Sequence, residues 1–542
     1  MKNKKNSKIW LIYKEDLRPD ENKPEPKPEN PAKEEDSSNL NKTFKFELTK
    51  SNTWKIAKYI GNDSRVTIPR EYQGKNITEI GNRAFFNSVI QSVTIEGSVK
   101  EIGESAFSGC KNLKEVILNE GLEKIGAEAF YNTNIESITI PGSVKEIGES
   151  AFSVCTNLKE VILNEGLEKI GAEAFYHTNI EYIVIPRSVK EIGESAFYNC
   201  TNLKEVILNE GLEKIGDWAF KYTKIESITI PSSVKEIGAE AFYNTNIKSI
   251  TIPGSIKEIG EGALSSGNIS SILINSNNKN FEIKDNFFID KNNKKILACL
   301  DKNDTKVTIP GLIEEIGESA FFGCTNLKEV ILNEGLEKIG AGAFSHINIE
   351  YIIIPRSVKE IGKSAFSVCT NLKEVILNEG LEKIGASAFS SAKIESITIP
   401  GSVKEIGERA FSGCKYLKNY LKEVILNEGL EKIGDWAFEY TNIESITIPG
   451  SVKEIGQSAF YNCTNLKEVI LNEGLEKIGD WAFYGTKIES ITIPGSVKEI
   501  YKGAFYGCPN LKKVTYKGDA SKINWGNIGI DKTIVKIISS NN

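Results

Sequence analysis

Residues 113–126 read LKEVILNEGLEKIG, and the same fourteen residues recur from Leu158, Leu203, Leu327, Leu372, Leu421 and Leu466. An enzyme gathers a few different side chains about one centre, whereas identical copies lay the same side chains along a line. Around these words the steadiest marker is an Ala-Phe pair preceded by Ile-Gly-x-x. Its phenylalanine stands at 85, 107, 130, 152, 175, 197, 220 and 242, in alternating steps of 22 and 23 residues. Leu264 interrupts the series, which resumes at 321 and continues to 505. The one long step, 411 to 438, holds the insertion KYLKNYLK. Two kinds of unit therefore alternate in a 45-residue super-repeat, the signature of an array in which neighbouring units complete each other's core.

One unit has apolar residues at Leu113, Val116, Leu118, Leu122, Ile125, Ala129 and Phe130. The next has them at Ile135, Ile138, Ile140, Val144, Ile147, Ala151 and Phe152. The two-residue spacing of Val116 and Leu118, and of Ile138 and Ile140, predicts a short strand with one face inward. Gly126 and Gly148 suit tight turns, after which the Ala-Phe pair fills the opposite wall of the coil. Glycine and proline in every super-repeat exclude a continuous helix. Stacked parallel strands about 4.8 Å apart predict an elongated body of about 18 coils, roughly 90 Å long.

The pattern L-x-x-[IV]-x-[IL]-P-x-x-[VI]-x-x-I-G-x-x-A-F-x-x-C runs through SITIPGSVKEIGESAFSVCTNL (from Ser137) and SITIPGSVKEIGERAFSGC (from Ser396). It resembles the BspA-like class of leucine-rich repeat over roughly residues 43–542. The resemblance implies an α/β repeat solenoid: a right-handed leucine-rich-repeat arc of about 18–20 coils with a parallel concave sheet and capped ends. FKFELTKSNTWKIAKYIGNDSRVTIP resembles the family's opening unit, and VTYKGDASKINWGNIGIDKTIVKI its closing cap. The central NSNNKNFEIKDNFFIDKNNKKILACLDKNDTKVTIPG resembles a longer variant unit. It reads as strands NFFI and ILACL joined by the polar turn DKNNKK, with Asn286 where the resemblance leads one to expect glycine. The expected divisions are 1–42, a disordered segment carrying the spacer PDENKPEPKPENPAKEED; 43–275, solenoid with its opening unit; 276–310, the hairpin variant; 311–515, solenoid; and 516–542, the cap.

Basic and acidic residues nearly balance, 67 against 73, for a formal charge of -6, unlike the basic excess of a general nucleic-acid binder. No apolar run reaches the ~18–20 residues of a membrane span. MKNKK is followed only by IWLIY, short of the roughly 7–15 apolar residues of a signal peptide. Eight of nine cysteines stand three residues after the Ala-Phe phenylalanine, where intervening units carry Thr133, Thr178 or Ala392. They read as small space-fillers, with adjacent Cys-bearing coils about 10 Å apart and so too distant for disulfides. His177 and His346 share one turn position, far apart in sequence and away from any ligand-spaced cluster. The sequence thus offers no catalytic or metal-ligating residue and no cofactor motif, and we read it as non-enzymatic. Glu/Lys pairs such as KEIGE recur in every coil as a charge-balanced surface.

Copies of the super-repeat differ from one another in informative places. Between the copies from Leu113 and Leu158 only His177, Tyr182, Val184, Arg187, Tyr198 and Asn199 change. Tyr182 and Val184 flank inward Ile183, so both point out of the coil, and Arg187 lies just past the strand. The copy from Leu327 repeats the motif as Tyr351 and Arg356. Tyrosine and arginine are enriched in binding hot spots; drift at exposed positions and segmental copying are the bland account. Trp218, Trp436 and Trp481, two residues before the Ala-Phe phenylalanine, form a second candidate group. Exposed, they would stack on a sugar ring or a partner; otherwise they pack on a neighbouring coil. The outer strand row, Ile117, Thr139, Ile162, Val184, Ile207 and Thr229, forms a sticky stripe suited to protein contact.

By resemblance the role is that of a bacterial cell-surface, adhesin-like protein binding host or neighbouring-cell macromolecules through its concave sheet. The rivals are an intracellular interaction scaffold, which the free thiols and unrecognised export signal suit, and a carbohydrate-binding surface using the Trp and Tyr residues. The implied partners are a protein or a glycan. Oligomeric state is not legible.

Overall fold

The computed structural model of the chain describes residues 37–266, 268–413, 421–519, 521 and 523–538. The proline-rich spacer, Cys414 and most of the KYLKNYLK insertion lie outside them. A helix, Ser37–Thr43, occupies the last residues of the segment expected to be disordered. Phe44–Leu48 then pairs antiparallel with Trp54–Tyr59, which pairs parallel with Lys75–Ile80, closing the N-terminal end of the core.

Most of the coils that follow contribute a short strand, a two-residue strand and the Ala-Phe turn; the coil through Ile225 and Ile230 keeps only a bridge, Ser227 to Glu205, in place of the short strand. Leu113, Val116, Leu122, Ile125, Ala129 and Phe130 are all buried as expected, whereas Leu118 is only partly so. The Ala-Phe phenylalanines stack face to face from Phe85 to Phe242 with ring centroids 4.6–5.6 Å apart, and again from Phe321 to Phe505. These spines run down the core like a column.

The protein is a parallel β-solenoid with almost no helix, and the Ala-Phe segment shows why. Glu128 and Asn132, flanking Phe130 at two residues on either side, have φ of 54° and 57°; Ser150 and Val154 around Phe152 have 52° and 60°. Left-handed residues at that spacing prevent any helical turn from propagating. The backbone instead donates to the next coil: Glu128 N–H to Glu149 O (2.8 Å), Phe130 N–H to Ala151 O (2.8 Å) and Asn132 N–H to Ser153 O (2.9 Å). These N–H groups, which an isolated turn would leave unpaired, are thereby satisfied by the neighbouring coil.

The continuous sheets are the ones that the sequence does not show. Two-residue strands such as Lys124–Ile125, Glu146–Ile147 and Lys169–Ile170 stack in register; such strands build two twelve-stranded sheets, one before the central variant unit and one that begins with that unit's own strands. The longer strands, expected to build one long sheet, instead pair mostly in twos, as Ser137–Ile140 does with Glu160–Leu163, with a three-stranded group at each end of the solenoid. Proline explains the breaks. In a paired step, Asn164 N–H closes the ladder on Ile140 O at 3.3 Å. At the next step the equivalent residue is Pro186, which has no N–H to give. Ser271–Ile274 is followed by Asn275 rather than proline, and there the ladder does form, with Asn275 N–H 3.0 Å from Ile252 O.

The repeated NEG and P-x-S words lock one coil to the next. Glu165 accepts from Arg187 N–H and Ser188 N–H, both at 3.1 Å, and Gly166 N–H donates to Ser188 Oγ at 2.9 Å. Glu210 and Glu428 repeat the contact. The Ser232 N–H, with the Ser232 and Ser233 donors, holds the Glu210 carboxyl below its ordinary range; the Gly450 and Ser451 N–H groups do the same for Glu428. A folded-state pKa below the unfolded one means stability present above the unfolded pKa and lost as pH falls through the folded one. The melting temperature of Glu210→Gln should therefore lie about 1–2 °C below wild type at pH 7, with the gap closing as pH falls below about 4. A gap independent of pH would show that the carboxylate charge plays no part.

The variant unit is a three-stranded antiparallel sheet: Phe281–Lys284, Phe287–Asp290 and Lys295–Cys299. The second and third strands are the expected pair, and the first was not anticipated. Asp285 and Asn286 turn between the first two with φ of 50° and 63°, the two-residue hairpin geometry that Asn tolerates in place of Gly. The second and third strands are buried on both faces, whereas the first leaves Ile283 exposed. Phe288, Leu297 and Ala298 join the core of the first half, and Phe287, Ile289 and Ile296 that of the second. Lys295, 8% exposed, pairs with Glu261 of the first half and, at 3.2 Å, with Glu315 of the second. At the far end Ile523, Trp525, Ile528 and Ile530 cover the last coil, with Phe505 N–H on Ile528 O at 2.9 Å.

Candidate binding surface

Along the longer strands inward and outward residues alternate strictly, so each coil exposes two side chains on one lateral face. Ile117, Ile207, Leu273, Ile331, Ile353, Ile376, Ile425 and Ile470 are exposed there. Half-buried Val184 stands in the same row, and Tyr182 and Tyr351, each 40% exposed, lie two residues earlier on the same face, in register with Glu205 and Glu374. Both tyrosines are anchored on the preceding coil. Tyr182 Oη donates to Glu160 Oε1 at 3.4 Å, and Tyr351 bonds Glu329, itself paired with Lys306 at 2.8 Å. The Glu329 bond raises the Tyr351 phenol above its ordinary value. Arg187 and Arg356 are exposed beyond the strand ends. Tyr182 and Arg187 lie on one side of the molecule but five residues apart on extended backbone, about 16 Å. They bracket a strip rather than line a pocket.

The tryptophans lie on a different wall of the coil, in the Ala-Phe turn. Trp218, Trp436 and Trp481 occupy its left-handed position, with φ of 55°, 53° and 54°. Trp436 lies under the Arg409 guanidinium, 4.3 Å from ring centroid to Cζ. Trp481, 43% exposed, covers Gly503 of the next coil so closely that a Cβ there would lie 2.0 Å from its Cδ1. Trp436 and Trp481 therefore pack on neighbouring coils, and these residues share no site with the Tyr-Arg strip.

Sequence reasoning missed an aromatic row beside the Ala-Phe turn. Tyr176, Tyr198, Tyr222, Tyr243 and Phe322 follow one another at 5.3–5.8 Å, and the row crosses from the first half to the second. Lys221 Nζ lies 5.3 Å from the Tyr222 ring centroid and 4.7 Å from that of Tyr243, and pairs with Glu240. A second row runs through Tyr440, Tyr461 and Tyr484. The signal was present as Tyr one or two residues after the marker phenylalanine.

Among the described residues no three His, Cys, Asp or Glu side chains are placed to hold a metal ion. His177 Nδ1 meets Asn199 Nδ2, and His346 Nδ1 lies 2.8 Å from the Ser345 hydroxyl, which also donates to Ser367 O at 3.1 Å. No helix in the described residues is long and apolar enough to cross a membrane.

The family model described as "BspA type Leucine rich repeat region (6 copies)" matches residues 78–193, 168–295, 298–418 and 418–512, well over half of the chain. No curated protein matches it. Among solved structures the chain is similar to a leucine rich cell surface protein of Faecalibacterium prausnitzii A2-165, 24% identical over 90% of this chain and 97% of that one, at a TM-score of 0.40. A leucine-rich repeat protein from Bacteroides ovatus ATCC 8483 is 25% identical over 92% of this chain and 98% of that one, at 0.34. Pneumococcal vaccine antigen PcpA is 22% identical over 79% and 96%, at 0.39. Scores below 0.5 add nothing to the fold already read from this chain's own ladders.

Proposed function

Because the chain belongs to the BspA-type leucine-rich-repeat family, we propose that it is a non-catalytic binding protein of the bacterial cell surface. Its partner is a protein of a host or neighbouring cell, held along the exposed strand row. The observation that carries this reading is where the copies differ. Core residues repeat unchanged between the copies from Leu113 and Leu158, while three of the six differences, Tyr182, Val184 and Arg187, fall on or beside that row. The row is also the face where isoleucines stand in water, a surface whose burial by a partner is favourable. Glycan recognition by the tyrosine rows is the second reading, since ring faces stack on sugars.

Two measurements test it. Protease treatment of intact cells should remove the antibody signal of the repeat array while a cytosolic marker survives; survival until lysis would move the protein inside and favour the scaffold reading. Beads coated with the purified chain should adhere to epithelial cells, and Tyr182→Ala with Arg187→Ala should cut adhesion about tenfold, as loss of a hot spot of ~1.4 kcal/mol does, at unchanged Tm. Loss of adhesion after glycosidase rather than trypsin treatment of the cells would transfer the role to a glycan.

A further inference from the structure

Cys299 is the one cysteine outside the repeated position, and the fold gives it a particular neighbour. In ordinary coils the cysteine thiol donates to the carbonyl of the Ala-Phe phenylalanine 25 residues earlier: Cys110 to Phe85 O (3.0 Å), Cys155 to Phe130 O (3.1 Å), Cys369 to Phe344 O (3.1 Å). The coil before Cys324 is the variant unit, and the residue 25 positions back is Cys299. Its backbone behaves as the phenylalanine's would. Cys299 N–H donates to Ala320 O at 2.7 Å, as Phe85 N–H does to Ala106 O. A second cysteine thus stands where the other described cysteines of the repeated position meet a phenylalanine. Lys302 Nζ touches the Cys299 carbonyl and the Cys324 sulfur at once, which sets the two cysteines side by side on adjacent coils, both 1% exposed.

Lys302 completes the group. It occupies the place that Ser88 holds beside Cys110, with Nζ 2.7 Å from both Cys299 O and Phe322 O and 3.8 Å from Cys324 Sγ. We propose that Cys299 and Cys324 are a redox pair that closes to a disulfide by exchange with a small-molecule disulfide, stapling the variant unit to the first coil of the second half. The remaining described cysteines lack a second thiol in contact and serve as packing.

Cys324 is the attacking sulfur. Among the described cysteines it alone is held below the ordinary thiol value, first by the bond from Cys299 and further by Lys302; burial pushes Cys155 and Cys200 up to about 11. The Cys324 thiolate attacks one sulfur of RSSR, forming a mixed disulfide and expelling RS⁻. Cys299, surrendering its proton, then attacks Cys324 Sγ and expels the second RS⁻. Two protein thiols are oxidised and one RSSR is reduced to two RSH, whose protons come from the cysteines. Because the finished fold buries both thiols, the exchange takes place on a folding chain in which Lys302 already lies beside Cys324 but the two cores have not yet closed over the pair.

The test refolds the full chain from denaturant in a buffer of reduced and oxidised glutathione. Free thiols are trapped with N-ethylmaleimide and the chain is mapped by peptide mass. The expected result is one dominant disulfide, 299–324, with the other seven cysteines alkylated and Tm about 3–6 °C above the reduced protein. Lys302→Gln should raise the pH at which closure becomes fast. Nine alkylated cysteines, or either partner linked elsewhere, would overturn the proposal. Where refolding yields aggregate, the same buffer applied to the native chain just below its Tm gives the same peptide readout, to be judged by the same outcomes.

Discussion

Phe288→Ala should split the thermal unfolding of this chain into two transitions. Phe288 is fully buried in the variant unit, its ring 5.5 Å from Phe281, and it belongs to the core of the first half. Its neighbour Phe287 faces the other way, into the second core, 5.9 Å from Phe321. Truncating a buried phenylalanine costs about 3–5 kcal/mol, the transfer free energy plus the cavity left behind. In a solenoid that loss acts on one interface rather than on the whole body. The first half should then melt early, while the second keeps its own packing against Phe287. Calorimetry should show two resolved peaks where wild type shows overlapping ones, and Phe287→Ala should move the other peak. A single peak, shifted as a whole, would mean that the two cores behave as one cooperative unit across the variant sheet.

The junction was half legible for a physical reason. NFFI and ILACL announce strands by composition, and the polar DKNNKK announces their turn. Nothing in the linear order says that alternate residues of one strand serve two different cores, or that Lys295 sits between Glu261 and Glu315. That information lies in the stacking of coils, which brings together residues 20 to 34 positions apart. The same limit hid the Cys299–Cys324 contact. Spacing between repeated cysteines speaks only for the repeated coils, and the variant unit changes what stands one coil back.

Elsewhere, what repeats was readable and what closes was not. The core positions followed from periodicity, because burial in every coil imposes the same residue type. The two-residue strands are too short for alternation to show, yet they carry the continuous sheets. Prolines were read as evidence against helix, whereas their larger effect is to interrupt the strand row into pairs. The Trp residues were ambiguous because the left-handed site they occupy also accepts Ser, Glu, Arg and Gly: the backbone there is fixed by its hydrogen bonds to the next coil. Gly126 and Gly148 were expected as turn residues. Neither has a positive φ; a Cβ on Gly148 would lie 2.6 Å from Ala127 N, so glycine there allows the coils to stack.

Gly166 of the NEG word sets the harder demand, and Gly166→Ala should be among the most damaging single substitutions in the chain. Its φ is 116°, a conformation that an L side chain resists, and an added Cβ would lie 2.0 Å from Gly142 O on the preceding coil. The obstacle is backbone, which cannot swing away as a side chain would. Left-handed backbone costs about 1–2 kcal/mol for a non-glycine residue, and relieving the overlap by shifting packed coils costs about 1–3 more. The shift would also pull Gly166 N–H from Ser188 Oγ and Glu165 from the two N–H groups it holds. Gly311→Ala is the matched control: its φ is not positive and nothing lies within 4 Å of a Cβ there. That variant should be neutral or gain up to about 1 kcal/mol by restricting the unfolded chain. Chemical denaturation of both variants decides the matter. Equal midpoints would mean that the turn has slack, and that the glycine of each repeated word reflects copying rather than a requirement of the stack.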